Sequence, residues 1–205
     1  TGKLKKIFLI SFCLFPTILG FFIPFVFLLF NSIQALEIFL SKDTLINTLN
    51  TVFLASFVSF TIIFLSLIIN YSARIKPTKI NLFFNKISSL GYAIPGSIVA
   101  IGILIPFTYF DNIFINFFQI NFNLDIGAFF SGSIFILCFA YIVRFFTISQ
   151  TNIESSFHRI SKNIDHTASV LGKKPIMILF NIHIPLMSLS ILLSLVLIFI
   201  EIIKE

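Results

Sequence analysis

Side chains able to do chemistry are few in this 205-residue chain: three histidines, two cysteines and eight carboxylates. One histidine opens a polar stretch, His166-Thr167-Ala168-Ser169-Val170-Leu171-Gly172, and a second follows after nine residues in Ile182-His183-Ile184-Pro185. No catalytic set emerges. There is no Gly-rich phosphate loop ending in Lys and Ser or Thr, no His-Glu-x-x-His, and no serine with a base beside it. Cys13 and Cys138 are far apart and have no ligand-like spacing to His158, His166 or His183, so neither a disulfide framework nor a metal site is expected. Both cysteines read as small buried hydrophobes. The chemistry that suits the polar stretch is docking, because a structured, charged loop set into an apolar chain is built to meet a soluble partner.

Local signals give that stretch a shape. Ser161 suits an N-cap, Ile160, Ile164, Ala168 and Leu171 repeat at helical spacing as one apolar stripe, and Gly172 can end the helix in the left-handed conformation. After Lys173-Lys174, Pro175 suits the first turn of a second helix, and Pro185 marks where that helix bends toward the membrane. An interfacial helix lying in lipid headgroups would want basic residues. The polar face here carries Asp165, His166, Thr167 and Ser169 with only Lys162, which fits a protein groove better.

The elements that must position this loop are membrane helices. With 58% hydrophobic residues, 11% charged residues and 30 phenylalanines, the chain cannot cover a soluble globule with polar surface. Five apolar runs, residues 7–30, 49–71, 87–107, 126–148 and 186–203, are each near the roughly 20 residues that cross a bilayer. An all-α polytopic bundle follows, since hydrocarbon leaves the backbone no partner but itself and barrel alternation is absent. Two domains are expected: residues 1–43, a first helix and external loop, and 44–205, the core with a connecting loop over 149–185. Lys3, Lys5, Lys6, Arg74, Lys76, Lys79, Lys86, Arg144, Arg159, Lys162, Lys173 and Lys174 then fall on one side, twelve of fourteen basic residues. Glu37, Asp43, Asp111 and Asp125 fall on the other with Lys42, which places the amino terminus and the loop in the cytoplasm. The net charge of +6 is a topology signal beside anionic lipid rather than a mark of nucleic-acid binding. Tyr71, Tyr92, Tyr109 and Tyr141 are expected near span ends as an interfacial belt. The chain opens on Thr1, has no cleavable secretory signal and stops as a fifth span exits, so a fragment is expected.

The loop resembles the cytoplasmic signature of importer-type permeases of ATP-binding-cassette (ABC) transporters: Glu-Ala-Ala, three residues, Gly, nine residues, then Ile-x-Leu-Pro. Ala168, Gly172, Ile182 and Pro185 match in register, while Ile184 replaces leucine, and His166 and Thr167 replace glutamate and alanine with Asp165 one position earlier. Ile46-Asn47-Thr48, Gly91-Tyr92-Ala93-Ile94-Pro95-Gly96, Tyr141-Ile142-Val143-Arg144-Phe145 and Glu201-Ile202-Ile203-Lys204-Glu205 look like the ferric-iron class. Relatives for thiamine, phosphonate, sulfate and polyamine share most of these features. The resemblance implies a non-enzymatic permease subunit in the bacterial inner membrane, similar to the second half of a two-half protein. Its implied partners are ATPase subunits that use ATP and Mg, a periplasmic or extracellular solute-binding protein, and a second transmembrane half, fused or separate. Asp165, His166, Thr167, Ala168, Gly172, Ile182 and Pro185 would contact the ATPase, and the chain itself would bind no cofactor.

Other classes make different predictions. A passive channel predicts transport without nucleotide, and a membrane anchor for an enzyme predicts cofactor ligands such as paired intramembrane histidines. Within the third run, Pro95 and Pro106 follow Gly91 and Gly102 by four residues, which would build two soft points into a pathway helix bearing Tyr92, Pro95 and Gly96. Ser89, Ala93, Gly96 and Ala100 add small-residue spacing for close approach. Glu201 is expected near the outer interface, within reach of Lys204, and Arg144 near the inner end of the fourth span.

Overall fold

A backbone in hydrocarbon must satisfy its own N–H and C=O groups, and every regular element among the described residues is a helix. The computed structural model describes residues 2–35, 41–88, 91, 94–124 and 127–205. Four helices are long and apolar enough to cross a membrane: Ile10–Ile33, Lys42–Ile75, Gly96–Phe122 and Ile134–Arg159. Pro175–Leu186 with Ser188–Lys204, bent by 78°, adds a fifth if the pair is one broken span. The chain is an all-α polytopic membrane protein.

It divides into two compact units, residues 1–50 and 51–205. In the first, α1 (Lys3–Thr17) passes through a π turn (Ile18–Phe22) into α2 (Ile23–Gln34). The span there buries none of its length within the chain, and Cys13, expected to be buried, is exposed on it. The division falls within α3 (Lys42–Ile75). The second unit adds α4 (Lys79–Ser88), α5 (Gly96–Phe122), α6 (Ile134–Arg159), α7 (Lys162–Val170), α8 (Pro175–Ile178), a π turn (Leu179–His183), α9 (Ile184–Leu186) and α10 (Ser188–Lys204).

Both π turns share a cause. Each ends two residues before a proline, Pro24 or Pro185, and in each the residue between them donates five back, Ile23 to Ile18 and Ile184 to Leu179. A proline ring clashes with the carbonyl four residues back, and one wide turn relieves that clash without breaking the helix. Pro185 therefore does not itself make the 78° bend. The bend falls between α9 and α10, where Met187 leaves the helical region at φ −102°, ψ 9°.

The core of the second unit lies where α3, α6 and α10 meet. Ala55, Val58 and Ile62 pack there with Phe145, Ile153, Ile198 and Ile202. Ser59, Ser66, Ser149 and Ser194 are fully buried in the same helices, small enough to let backbones approach. Ser59 and Ser194 satisfy their hydroxyls by donating to the carbonyls of Ala55 and Ser190. Nearby, the Asn70 and Gln150 amides bond reciprocally, at 3.0 and 3.1 Å.

Span boundaries differ from expectation in the middle of the chain. The third helix starts at Gly96, with Pro95 preceding it at ψ 138°. A proline pushes the residue before it out of the helical region, so the helix begins after Pro95 instead of bending at it. Pro95 is thus no interior soft point; Pro106, inside α5, is the one that remains. Tyr109 consequently falls mid-helix rather than at a span end, and Asp111, expected in an external loop, is buried on α5. Its carboxylate accepts the backbone N–H groups of Phe129, Phe130 and Ser131 and the Ser131 hydroxyl, folding the connection onto the helix. The fourth helix starts later and continues to Arg159, because Phe146, Gln150, Ile153 and Phe157 extend one buried face past the expected end. Residues 149–159, expected as loop, belong to this helix. Arg144 therefore lies within α6, and leaves the set of loop cations.

Candidate functional site

Between the end of α6 and the start of α8 the chain makes the short helix α7, and its ends form as the local residues dictate. The Ser161 hydroxyl accepts from the Asn163 N–H at 3.3 Å, and Gly172 sits at φ +77°. The Lys173 N–H reaches the Ala168 carbonyl at 3.1 Å and the Gly172 N–H the Ser169 carbonyl at 3.0 Å, the paired bonds of a glycine-terminated helix. Pro175 opens α8, as its fixed φ favours.

One carboxylate fastens α7 to the bundle. Asp165, in the first turn of α7, accepts the Nε–H of Arg74 on Oδ2 at 2.7 Å, and the same oxygen lies 2.7 Å from Nη2 in the ion pair. Its Oδ1 lies 2.5 Å from Nε2 of His183. A carboxylate only accepts, so His183 carries its proton on Nε2, and its buried Nδ1 has no partner among the described residues. Arg74, at the end of α3, also donates to the carbonyls of Phe157 at 2.5 Å, Ile160 at 2.9 Å and Ser161 at 3.2 Å. A cation at these orphan carbonyls is favoured by the dipole of α6, and an anion in the first turn of α7 by the dipole of that helix. The lock thus joins four segments: the end of α3, the end of α6, α7 and the π turn.

Burial follows the same logic. Side chains of Arg74 and Asp165 are 8% and 23% exposed, and His183 is fully buried. Burial works to raise the Asp165 pKa, but hydrogen bonds from His183 and Arg74, with the guanidinium charge, outweigh it and hold the carboxyl below its usual range. Tyr71, expected in an interfacial belt, instead lies in the lock. Its ring packs near His183 and Phe157, and its hydroxyl donates to the Pro175 carbonyl at 2.7 Å.

The residues picked out from sequence divide by face. Asp165 and Ala168 turn toward the bundle, whereas His166 and Thr167 are exposed. Leu171 does not join the buried stripe. It is 75% exposed beside Val170 at 87%, because the chain is already turning there toward Gly172. Together they make an apolar tip at the free end of α7. Ile182 is half-buried in the π turn and Pro185 is exposed on α9. Among the proposed pathway residues, Tyr92 lies outside the described residues, as do Ser89 and Ala93. Gly96 packs where a Cβ would overlap the Arg144 guanidinium, and Gly91 where one would overlap the Val143 carbonyl. Arg144 in turn pairs with Glu205 at 2.6 Å and lies over the Phe145 ring, while Glu201 pairs with Lys204 at 2.7 Å.

Sequence reasoning missed Arg74 and His183 as partners of Asp165. A signal existed: Ser59, Ser66, Asn70 and Arg74 fall at spacings of seven, four and four on one face of α3, a polar stripe that needs polar neighbours. Among the described residues no group of three His, Cys, Asp or Glu side chains is placed to hold a metal. Comparison with family models, curated proteins and solved structures finds no match.

Proposed function

We propose that this chain is the permease subunit of an ATP-driven importer of the ABC type, forming a solute pathway across a bacterial inner membrane, with α7 as the element that meets the ATPase. The observation that carries the reading is the build of α7. It is fixed to the bundle through Asp165 on one face and presents His166, Thr167, Val170 and Leu171 on the other. Such a helix transmits a push. Movement of its free tip is passed through Arg74 to the ends of α3 and α6, and through His183 to the approach to α10. A partner that binds this tip differently in its nucleotide-bound and nucleotide-free forms supplies the free energy that reorients the bundle.

In this reading the α7 side is cytoplasmic, an external solute-binding protein delivers cargo from the other side, and a second half completes the pathway. Ferric iron is the cargo favoured by the likeness of residues 91–96, 141–145 and 201–205 to that class, with thiamine, phosphonate, sulfate and polyamine as the neighbouring choices. The test is reconstitution of the full-length protein with candidate ATPase subunits, comparing the native sequence with Val170→Glu. Since Val170 is almost wholly exposed, the fold tolerates the charge. The expected result is loss of association and of transport-coupled ATP hydrolysis; unchanged association removes α7 from the ATPase contact.

A further inference from the structure

Two cavities meet beside the lock. The first, about 230 Å³, is the more polar of the two, with Arg74, Lys162, Asp165, His166 and Ser169 among its lining residues. The second, about 410 Å³, is mainly apolar, with Ile68, Ile176 and Leu179 on its walls and Lys76 beside them. Tyr71, Ile75 and Pro175 line both, so the two lie side by side along the end of α3, with the Tyr71–Pro175 hydrogen bond in their shared wall. The charges do not balance. Arg74 and Asp165 offset each other, whereas Lys162 and Lys76 are exposed and neither has an ion-pair partner among the described residues. Side by side they make a recess with a positive, more polar compartment and an apolar one, on a helix long enough to span a membrane.

We infer that this recess binds one anionic phospholipid, with its phosphate in the polar compartment near Lys162 and its acyl portion along Ile68, Ile176 and Leu179. Basic pockets between membrane helices suit anionic headgroups, and the apolar compartment provides what a free anion cannot use. A soluble anion would leave Ile68, Ile75 and Ile176, each at least 45% exposed, facing water. The lipid would brace α8 and the π turn against α3, next to the contact between Tyr71 and Pro175. This rests on the chain being a membrane protein and not on its having an ATPase partner.

Native mass spectrometry of the full-length protein in detergent doped with phosphatidylglycerol or phosphatidylcholine tests it. One phosphatidylglycerol per chain is expected to be held more tightly than phosphatidylcholine. The double variant Lys76→Gln, Lys162→Gln should weaken phosphatidylglycerol binding about 30-fold, since each basic residue near an anionic headgroup contributes roughly a factor of five. Lys42→Gln, remote in sequence and lining neither cavity, should change nothing. Equal retention of phosphatidylglycerol by the double variant, or of the two lipids by the native chain, overturns the inference. So does displacement of the lipid by millimolar inorganic phosphate, which would mark an anion site without an acyl arm. If the double variant keeps its lipid but loses the ATPase subunit, the recess belongs to a protein and the lipid assignment fails.

Discussion

Replacing Asp165 by asparagine changes one charge without changing size, and the geometry of the lock sets its cost. Asparagine has one acceptor and one double donor, so it can accept from Arg74 or from His183, not from both in their present forms. If its oxygen keeps Arg74, its amide faces Nε2 of His183, which must then give up that proton and carry one on the buried Nδ1 that has no partner. Breaking a buried ion pair costs about 3–5 kcal/mol. The cost here is smaller, because Asp165 is partly exposed and Arg74 keeps three carbonyl acceptors. About 2 kcal/mol is expected, the difference between a charge-assisted and an ordinary hydrogen bond plus one unpaired donor. Amide hydrogen exchange in reconstituted protein reads it directly: protection across α7 should fall about 30-fold while that of the α3 and α6 core is retained. A cycle with Arg74→Gln should show coupling of about 1.5 kcal/mol or more. Additivity within about 0.5 kcal/mol, or unchanged protection in α7, would refute the lock.

Other consequences can be checked alongside. Gly96→Val should push the Arg144 guanidinium aside and break the Arg144–Glu205 pair while costing no more than about 1 kcal/mol of thermal stability, because the atoms in the way are the far end of a flexible side chain in a partly exposed ion pair. Gly102→Ala on the same helix meets open space and should be neutral or stabilising by up to about 1 kcal/mol. Asn70→Ala removes the reciprocal amide pair and should cost about 0.6–1.7 kcal/mol in a double-mutant cycle with Gln150→Ala. The pH dependence has a definite sign. A carboxyl whose native pKa is depressed contributes stability that is present above its unfolded value of about 4 and is lost as pH falls through the native value. A spin label attached through His166→Cys should therefore stay equally restrained from pH 8 to pH 5 and loosen only in stronger acid; in the Asp165→Asn background that acid step should vanish.

What could be read from the sequence was what is decided locally. Ser161 and Gly172 mark the ends of α7 because an N-cap hydroxyl and a left-handed glycine act within a few residues of themselves. Span existence was legible for the same reason, since length and hydropathy suffice. Span register was not. Around Pro95 the chain stays apolar on both sides, and a proline in such a run serves equally as an interior kink or a helix start; the close packing of Gly91 and Gly96 on α6 selects the start. The end of α6 is hidden because polarity alone misleads there: Gln150 and Ser156 look like loop residues until Asn70 and the Asn152 carbonyl are seen to satisfy them. Arg74 and Asp165, 91 positions apart, are joined by tertiary packing that no periodicity within either helix encodes.

The free tip of α7 is the surface proposed to meet an ATPase. Site-specific cross-linking from Leu171→Cys to single-cysteine ATPase subunits, in the presence and absence of ATP, tests it most directly. Cross-links to one narrow region of the ATPase are expected, with yields that change on nucleotide binding and disappear with Val170→Glu. Absence of any cross-link from this tip, with a functional complex formed through another surface of the chain, would contradict it.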